Sequence, residues 1–270
     1  MDSRFLFLGG DRRSVFAAQA ISKRRSVSAL GLEGFSAPEG RYGAIVLPLP
    51  FMREGAINAP LCDVRLPLSL VTEYAAEGGT VFSGGSSAEL VQLCESAGLR
   101  LVDYFADEPL TLKNAALTAE AAVAILVQST EFSLCGAEIV ITGGGRIAQL
   151  TARLLRAFGS RVTLCARDAV QRARAEVEFC EAAGLDVLPM LCAKAEVVVN
   201  TAPAPLFREE HFRLMQAGAV FMELASKPPQ PDEGYALKYG VHYIFASGLP
   251  GKCSPKTAGE AIAEVILEKS

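Results

Sequence analysis

One segment constrains this chain more than any other. Glu138-Ile139-Val140-Ile141-Thr142 is an apolar run with a β-branched core, and Gly143-Gly144-Gly145-Arg146-Ile147-Ala148 follows it directly. A strand ending in GxGxxA that opens into an amphipathic stretch is the dinucleotide-binding turn, with alanine as its third small residue. Gly143 permits the tight turn off the strand. Gly145 keeps side chains away from a pyrophosphate, and Ala148 lets the helix pack close on the sheet with its N-terminus facing the anion. A helix at about Arg146–Phe158 and a second strand, Arg161–Cys165, complete a βαβ unit. The competing reading is a glycine turn that holds no ligand.

The end of the second strand selects the dinucleotide. NAD recognition wants Asp or Glu there for the ribose hydroxyls. This chain has Cys165-Ala166-Arg167-Asp168, with the acid one position late. Arg167 stands where a guanidinium can stack on adenine and pair with a 2′-phosphate, so NADP is expected, with NAD as the alternative. Otherwise Arg167 is a solvated loop residue and Asp168 a helix cap. Asn200-Thr201-Ala202-Pro203 ends a later strand, and the carboxyl ends of strands form the ligand crevice. Thr201, Ala202 and Pro203 therefore join Gly143, Gly144, Gly145, Arg146 and Ile147 as expected cofactor contacts.

Short apolar runs alternate with amphipathic ones along the whole chain, the pattern of parallel strands with crossover helices. In the first half the expected strands are Arg4–Leu8, Val27–Leu32, Ala44–Leu47, Thr80–Ser83 and Leu99–Tyr104. A helix is expected over Leu66–Glu77, and another after a capping box formed by Ser86 and Glu89. In the second half, further strands are expected at Val197–Asn200, Val220–Leu224 and His242–Ala246. Expected helices there are Asp168–Ala183, Glu209–Ala217 and Glu233–Tyr239, with a last one opening at Ser254-Pro255. Gly159 and Gly184 sit where a helix end wants a left-handed residue. The fold class is α/β: two Rossmann-like, doubly wound parallel-sheet domains with a cofactor cleft between them. The expected divisions are 1–115 as a substrate domain, 116–134 as a connector helix, 135–250 as the dinucleotide domain, and 251–270 as a terminal helix. In two-domain dehydrogenases such a helix often crosses back to the first domain.

Composition removes other classes. With 26 basic and 30 acidic side chains and a net charge of −4, the chain does not have the profile of a general nucleic-acid binder. Its clean apolar runs, Ala44–Met52 and Ala121–Val127, fall short of the roughly 20 residues of a spanning helix, so no membrane is expected. The Phe5–Leu8 run is too short for an export signal. Seven cysteines without a CxxC and only His211 and His242 argue for reduced thiols in a cytoplasmic protein and against zinc. Both histidines read as structural or surface residues, and Arg13 with Lys23-Arg24-Arg25 as solvated charges. Gly9-Gly10-Asp11 also follows a strand, and a glycine turn beside a guanidinium could hold a carboxylate.

Ser247 to Gly259 is too rich in glycine and proline for a plain linker. Lys256 falls in the first turn of the last helix, where a cation opposes the dipole; such a placement points to an anion ligand or simply to exposure. Taken in order, Gly9-Gly10-Asp11, Phe82-Ser83-Gly84, the fingerprint with Arg167, Asn200-Thr201-Ala202-Pro203, Leu224-Ala225-Ser226-Lys227-Pro228, Gly248-Leu249-Pro250-Gly251 and Pro255-Lys256-Thr257-Ala258-Gly259 form a series. With it the chain resembles, nearly end to end, the A subunits of dipicolinate synthase from spore-forming bacteria.

That resemblance implies a Rossmann-type protein working with the flavoprotein-like B subunit of dipicolinate synthase. Together they oxidise dihydrodipicolinate to dipicolinate with a nicotinamide cofactor, in the cytoplasm of a sporulating mother cell. The substrate is a small cyclic dicarboxylate, and a homo-oligomer is left open. Arg12, Ser83, Asn114, Ser226 and Lys227 are the candidates to grip its carboxylates. Gly248 joins the cofactor set, and Lys256 is the candidate proton acceptor, provided it is desolvated. Glu120 is a rival better explained as a charge on the connector helix. Two other readings stay open: a dehydrogenase of another small amino, keto or hydroxy acid, and a cofactor-binding regulatory subunit without chemistry of its own.

Overall fold

The computed structural model describes residues 4–178, 180–225 and 231–270. Compactness divides the chain into two units, Met1–Asn114 with Pro250–Ser270, and Ala115–Leu249.

The first unit runs β1 (Phe5–Leu8), α1 (Arg12–Ser22), β2 (Val27–Leu30), β3 (Tyr42–Val46), a two-residue hairpin pair β4 (Met52–Arg53) and β5 (Ala56–Ile57), α2 (Leu70–Tyr74), β6 (Ala75–Ser83), α3 (Ala88–Ser96) and β7 (Arg100–Asp103). Its main sheet has the order β2-β1-β3-β6-β7, parallel throughout. That is a doubly wound order, with the chain reversing direction between β1 and β3. Both faces are covered, which explains a strand as apolar as Phe5-Leu6-Phe7-Leu8. Phe5 and Phe7 join the core on one face, Leu6 and Leu8 the core on the other.

Helix α4 (Glu108–Ser129) leads into the second unit. There β8 (Glu138–Thr142), α5 (Arg146–Ala157), β9 (Arg161–Cys165), α6 (Ala169–Glu178), β10 (Glu181–Ala183), α7 (Leu188–Cys192), β11 (Val197–Asn200), α8 (Glu209–Leu214), β12 (Val220–Glu223), α9 (Glu233–Lys238) and β13 (His242–Phe245) follow. The parallel sheet has the order β10-β9-β8-β11-β12-β13, the dinucleotide-binding arrangement with its switch point between β8 and β11. Alternate residues again feed two cores: Ile139, Ile141, Val197 and Val199 one, Val140 and Val198 the other.

After α10 (Leu249–Cys253), α11 (Pro255–Lys269) packs against α1 in the first unit. Gly259 makes that approach possible. A β-carbon there would collide with the Arg13 carbonyl and stand 2.8 Å from Phe16 Cβ and 3.0 Å from Ala17 N. Lys113 and Lys269 add ion pairs to Glu264 and Asp107 within this unit.

The structure corrects several expectations. The helix expected over Leu66–Glu77 is only the short α2; Ala75–Glu77 already belong to β6, and a register shift opposite Tyr42 and Ala44 admits Gly78-Gly79. The cap of α3 is Ser87, whose side chain accepts from Leu90 N, not Ser86. The helix expected over Asp168–Ala183 ends at Glu178, and Glu181–Ala183 form an edge strand on β9. Gly184 consequently has an ordinary φ of −75°, whereas Gly159 is left-handed at +87°. Helix α4 spans 22 residues and is, by length and composition, apolar enough to cross a membrane. Leu110, Ala121, Ala122, Val123 and Leu126 on it are buried in the two cores, which accounts for its apolar character.

Candidate functional site

The switch point of the second unit is built by two strand ends. Gly143 leaves β8 with φ +101°, a conformation glycine tolerates, and a β-carbon there would stand 2.5 Å from Thr201 Oγ1. Gly145 is the N-cap of α5 and no side chain caps that helix. A β-carbon on Gly145 would meet nothing within 4 Å. Nothing in the packing demands glycine at 145, so its missing side chain keeps space open in front of a helix N-terminus. That is what a pyrophosphate requires. Gly144 is different: Gln171 lies against it, and Gln149 Nε2 donates to its carbonyl at 2.8 Å. Ile147 is half-buried against the core, and Arg146 is exposed.

A buried polar chain ties the strand ends beneath this turn. Thr142 Oγ1 donates to Asn200 Oδ1 at 2.6 Å, and Asn200 Nδ2 donates to Glu223 Oε2 at 2.8 Å. Glu223 Oε1 accepts from Ala225 N at 2.7 Å, and Asn200 Oδ1 also accepts from Ala202 N at 3.2 Å. Glu223 is 0% exposed. Burial pushes its carboxyl above the usual carboxylate range, against the pull of the Asn200 and Ala225 donors. Thr201 Oγ1 donates back to Thr142 O at 2.8 Å, so this hydroxyl fastens β11 to β8. Neither Glu223 nor the Thr142 hydroxyl carries a signal of its own in the sequence.

At the end of β9, Asp168 Oδ1 accepts from Gln171 N at 2.9 Å, the bond of an N-cap at the start of α6. Arg167 is exposed. Arg172 donates from Nη1 to the carbonyls of Ala166 and Arg167 at 2.8 and 2.7 Å, placing a second guanidinium at this strand end.

In the first unit the turn after β1 holds a carboxylate of the chain's own. Asp11 caps α1 through Arg13 N at 2.9 Å, and Arg13 grips it through Nε at 3.1 and 3.0 Å and Nη2 at 2.7 Å. Arg13 Nη2 also donates to Leu49 O. Arg13 is therefore buried, 7% exposed, contrary to the solvated charge expected from its basic neighbours. Gly251 packs directly over this pair; a β-carbon would stand 2.7 Å from Asp11 Oδ2. Arg12, in contrast, is exposed. Ser83, at the end of β6, is fully buried and its hydroxyl has no hydrogen-bond partner among the described residues. Ser83 pairs with Asp103 across the sheet, and the next residue, Tyr104, is buried and donates to Leu47 O at 2.9 Å.

The remaining expected site residues are scattered. Ser226 and Lys227 lie outside the described residues. Asn114 is half-buried on α4, and Gly248 is left-handed at φ +65° with open space around it. Lys256 lies in the first turn of α11 and is exposed, so the desolvation its proton-acceptor role presupposes is absent from this conformation. His211 is buried and structural: its Nδ1 accepts from Arg208 N at 3.2 Å. Glu120 is exposed on α4.

Residues 4–105 match the family model for the N-terminal domain of the dipicolinate synthase A subunit. Residues 126–226 match the D-isomer specific 2-hydroxyacid dehydrogenase, NAD binding domain. Fold and site thus define a two-unit α/β protein of the nicotinamide-dependent dehydrogenase class, with its dinucleotide-binding unit second. The dipicolinate synthase A subunit of Bacillus subtilis (strain 168) is 30% identical over 186 residues, 69% of this chain and 63% of that relative. The crystal structure of the dipicolinate synthase A subunit from Bacillus halodurans has a TM-score of 0.89 at 25% identity, covering 100% of this chain and 98% of that one. A transhydrogenase from Sinorhizobium meliloti, 13% identical with a TM-score of 0.66 over 98% and 92% of the two chains, shares the fold. Along both units the chain is thus similar to dipicolinate synthase A subunits.

Proposed function

We propose that the chain is the dehydrogenase component of a cytoplasmic dipicolinate synthase, acting with a second, flavoprotein-like subunit. The observation that carries this reading is the open helix N-terminus at Gly145 in a chain whose residues 4–105 match the N-terminal domain of the dipicolinate synthase A subunit. A nicotinamide dinucleotide held at the Gly143–Ile147 turn would supply the hydride acceptor for dihydrodipicolinate. The ring also gives up a proton, and the product is an aromatic pyridine dicarboxylate. The protein's share is to hold two carboxylates beside the nicotinamide and to take the proton, largely proximity and electrostatics.

Gly143, Gly144, Gly145, Arg146 and Ile147 receive the dinucleotide, with Thr201, Ala202, Pro203 and Gly248. Arg167 favours NADP, a reading supported by Asp168, whose carboxylate is engaged as a helix cap. Arg12, Ser83, Asn114, Ser226 and Lys227 are the proposed grip on the carboxylates, and Lys256 takes the proton once bound substrate excludes water from it.

The test is to supply purified chain, with and without the B subunit, with NADP⁺ or NAD⁺ and freshly generated hydroxytetrahydrodipicolinate. Reduced nicotinamide and dipicolinate are followed together. Equal appearance of both products is expected, faster with NADP⁺. Tight dinucleotide binding with no dipicolinate in any mixture would overturn the substrate assignment. The variant Arg167→Ala weakens NADP⁺ and leaves NAD⁺ unchanged, and Lys256→Ala lowers turnover. Unaltered turnover and substrate affinity in Lys256→Ala would remove that residue from the mechanism.

A further inference from the structure

Glu223 is a fully buried carboxyl at the end of a central strand, and the chain spends it on two donors. A glutamate shut away from water is costly unless its bonds accomplish something that an apolar residue cannot. Its consequence lies in the amide of Asn200. With Nδ2 committed to Glu223 Oε2, Oδ1 is the atom left to accept from Thr142 Oγ1 and Ala202 N. Together with Ala202, whose carbonyl takes a longer bond from Nδ2 at 3.4 Å, this acid fixes the rotamer of an amide that joins the ends of β8 and β11, where the Gly143 turn and the 201–203 loop begin. We propose that Glu223 is a positioning residue for dinucleotide binding, acting through the Asn200 amide on those two loops. The inference rests on the dinucleotide-binding character of the second unit and is independent of the substrate.

The bonding pattern supplies its own test. Glutamine at 223 has one acceptor and one donor end where two acceptors are needed. Either the bond from Ala225 N to the side chain at 223 is lost, or the glutamine NH2 faces the Asn200 NH2 and turns that amide over, so that its NH2 meets Ala202 N. The exchange Asn200→Asp with Glu223→Gln restores every bond of the chain except the long one, 3.4 Å, from Asn200 Nδ2 to Ala202 O. The glutamine oxygen accepts from Ala225 N and its nitrogen donates to Asp at 200, whose other oxygen accepts from Thr142 and Ala202.

Binding of NADPH and of NADH is read by their nicotinamide fluorescence, with a thermal melt on each variant, so no substrate is involved. Glu223→Gln is expected to weaken the preferred dinucleotide about tenfold or more, the scale of a lost charge-assisted hydrogen bond. The double exchange is expected within about threefold of the parent, a coupling that a double-mutant cycle isolates. Parental binding by Glu223→Gln, whatever its melting temperature, overturns the proposal. So does a double variant that binds no better than the single one. If Glu223→Gln fails to fold, the double variant decides alone: folding with parental affinity supports the proposal, and failure to fold or to bind overturns it.

Discussion

Replacing Gly259 by alanine sets two effects of opposite sign against each other. Alanine in a helix interior is favoured over glycine by about 1 kcal/mol, so on propensity alone α11 gains. The structure says otherwise. The new β-carbon would fall inside contact distance of the Arg13 carbonyl, 2.8 Å from Phe16 Cβ and 3.0 Å from Ala17 N. Two of these three neighbours are backbone of α1, which cannot swing aside. The helices must separate by roughly 1 Å, and a gap of that size forfeits a quarter to a half of each dispersion contact across it. The contacts at stake lie in the core cluster that holds Ala17, Ala18 and Ile21 of α1 with Ala261, Ile262, Val265 and Ile266 of α11, all buried. At about 1.5–3 kcal/mol per large apolar side chain, losing a third of two or three of them, with overpacking strain, exceeds the propensity gain. The expected net loss is about 2 kcal/mol, read as a fall of roughly 5 °C in a melt followed by far-ultraviolet circular dichroism. A melting temperature equal to or above that of the parent would refute the reasoning, because propensity would then have decided the outcome.

Gly145→Val separates function from folding. Its φ of −78° is ordinary and a β-carbon there has open space, so the melting temperature is expected to hold while dinucleotide binding is lost; a binding-competent variant contradicts the site. Arg13→Ala leaves Asp11 and the Leu49 carbonyl without their guanidinium and is expected to destabilise by about 2–4 kcal/mol in urea unfolding; a loss under about 1 kcal/mol would return Arg13 to the solvated class. Thiol labelling should follow burial. Exposed Cys135 and Cys253 react first, whereas burial pushes Cys165 up to about 11 and Cys192 up to about 12. At a pH of about 9 Cys165 and Cys192 should therefore stay unlabelled until the chain unfolds, as mass spectrometry of the labelled peptides would show.

The strands legible in the sequence were those buried on both faces, because continuous runs such as Val197-Val198-Val199 suit a parallel sheet and little else. β10 escaped that logic: Glu181-Ala182-Ala183 is a short edge strand without a β-branched residue, and it continued a helical pattern. The fingerprint glycines were legible because their constraints are local. Glu223 and Arg13 were not, because beside a local partner, Ala225 N for the one and Asp11 for the other, each has a partner far off in the sequence. An acid ending an apolar strand reads as an exposed terminus until β11 brings Asn200 beside it. Arg13 reads as one of several basic charges until Leu49, 36 residues on, supplies an acceptor. In both cases the tertiary fold creates the bond, and no short window of sequence contains it.

The discontinuity of the first unit has a consequence for how the chain is made. Residues 115–249 form a contiguous stretch, complete as soon as it has left the ribosome. The other unit begins first and finishes last, since α1 has no α11 to cover it until residues 255–269 are synthesised. Through that interval the face of α1 that receives Gly259, at Arg13, Phe16 and Ala17, lacks its partner. The earlier half of the polypeptide thus completes its packing after the middle.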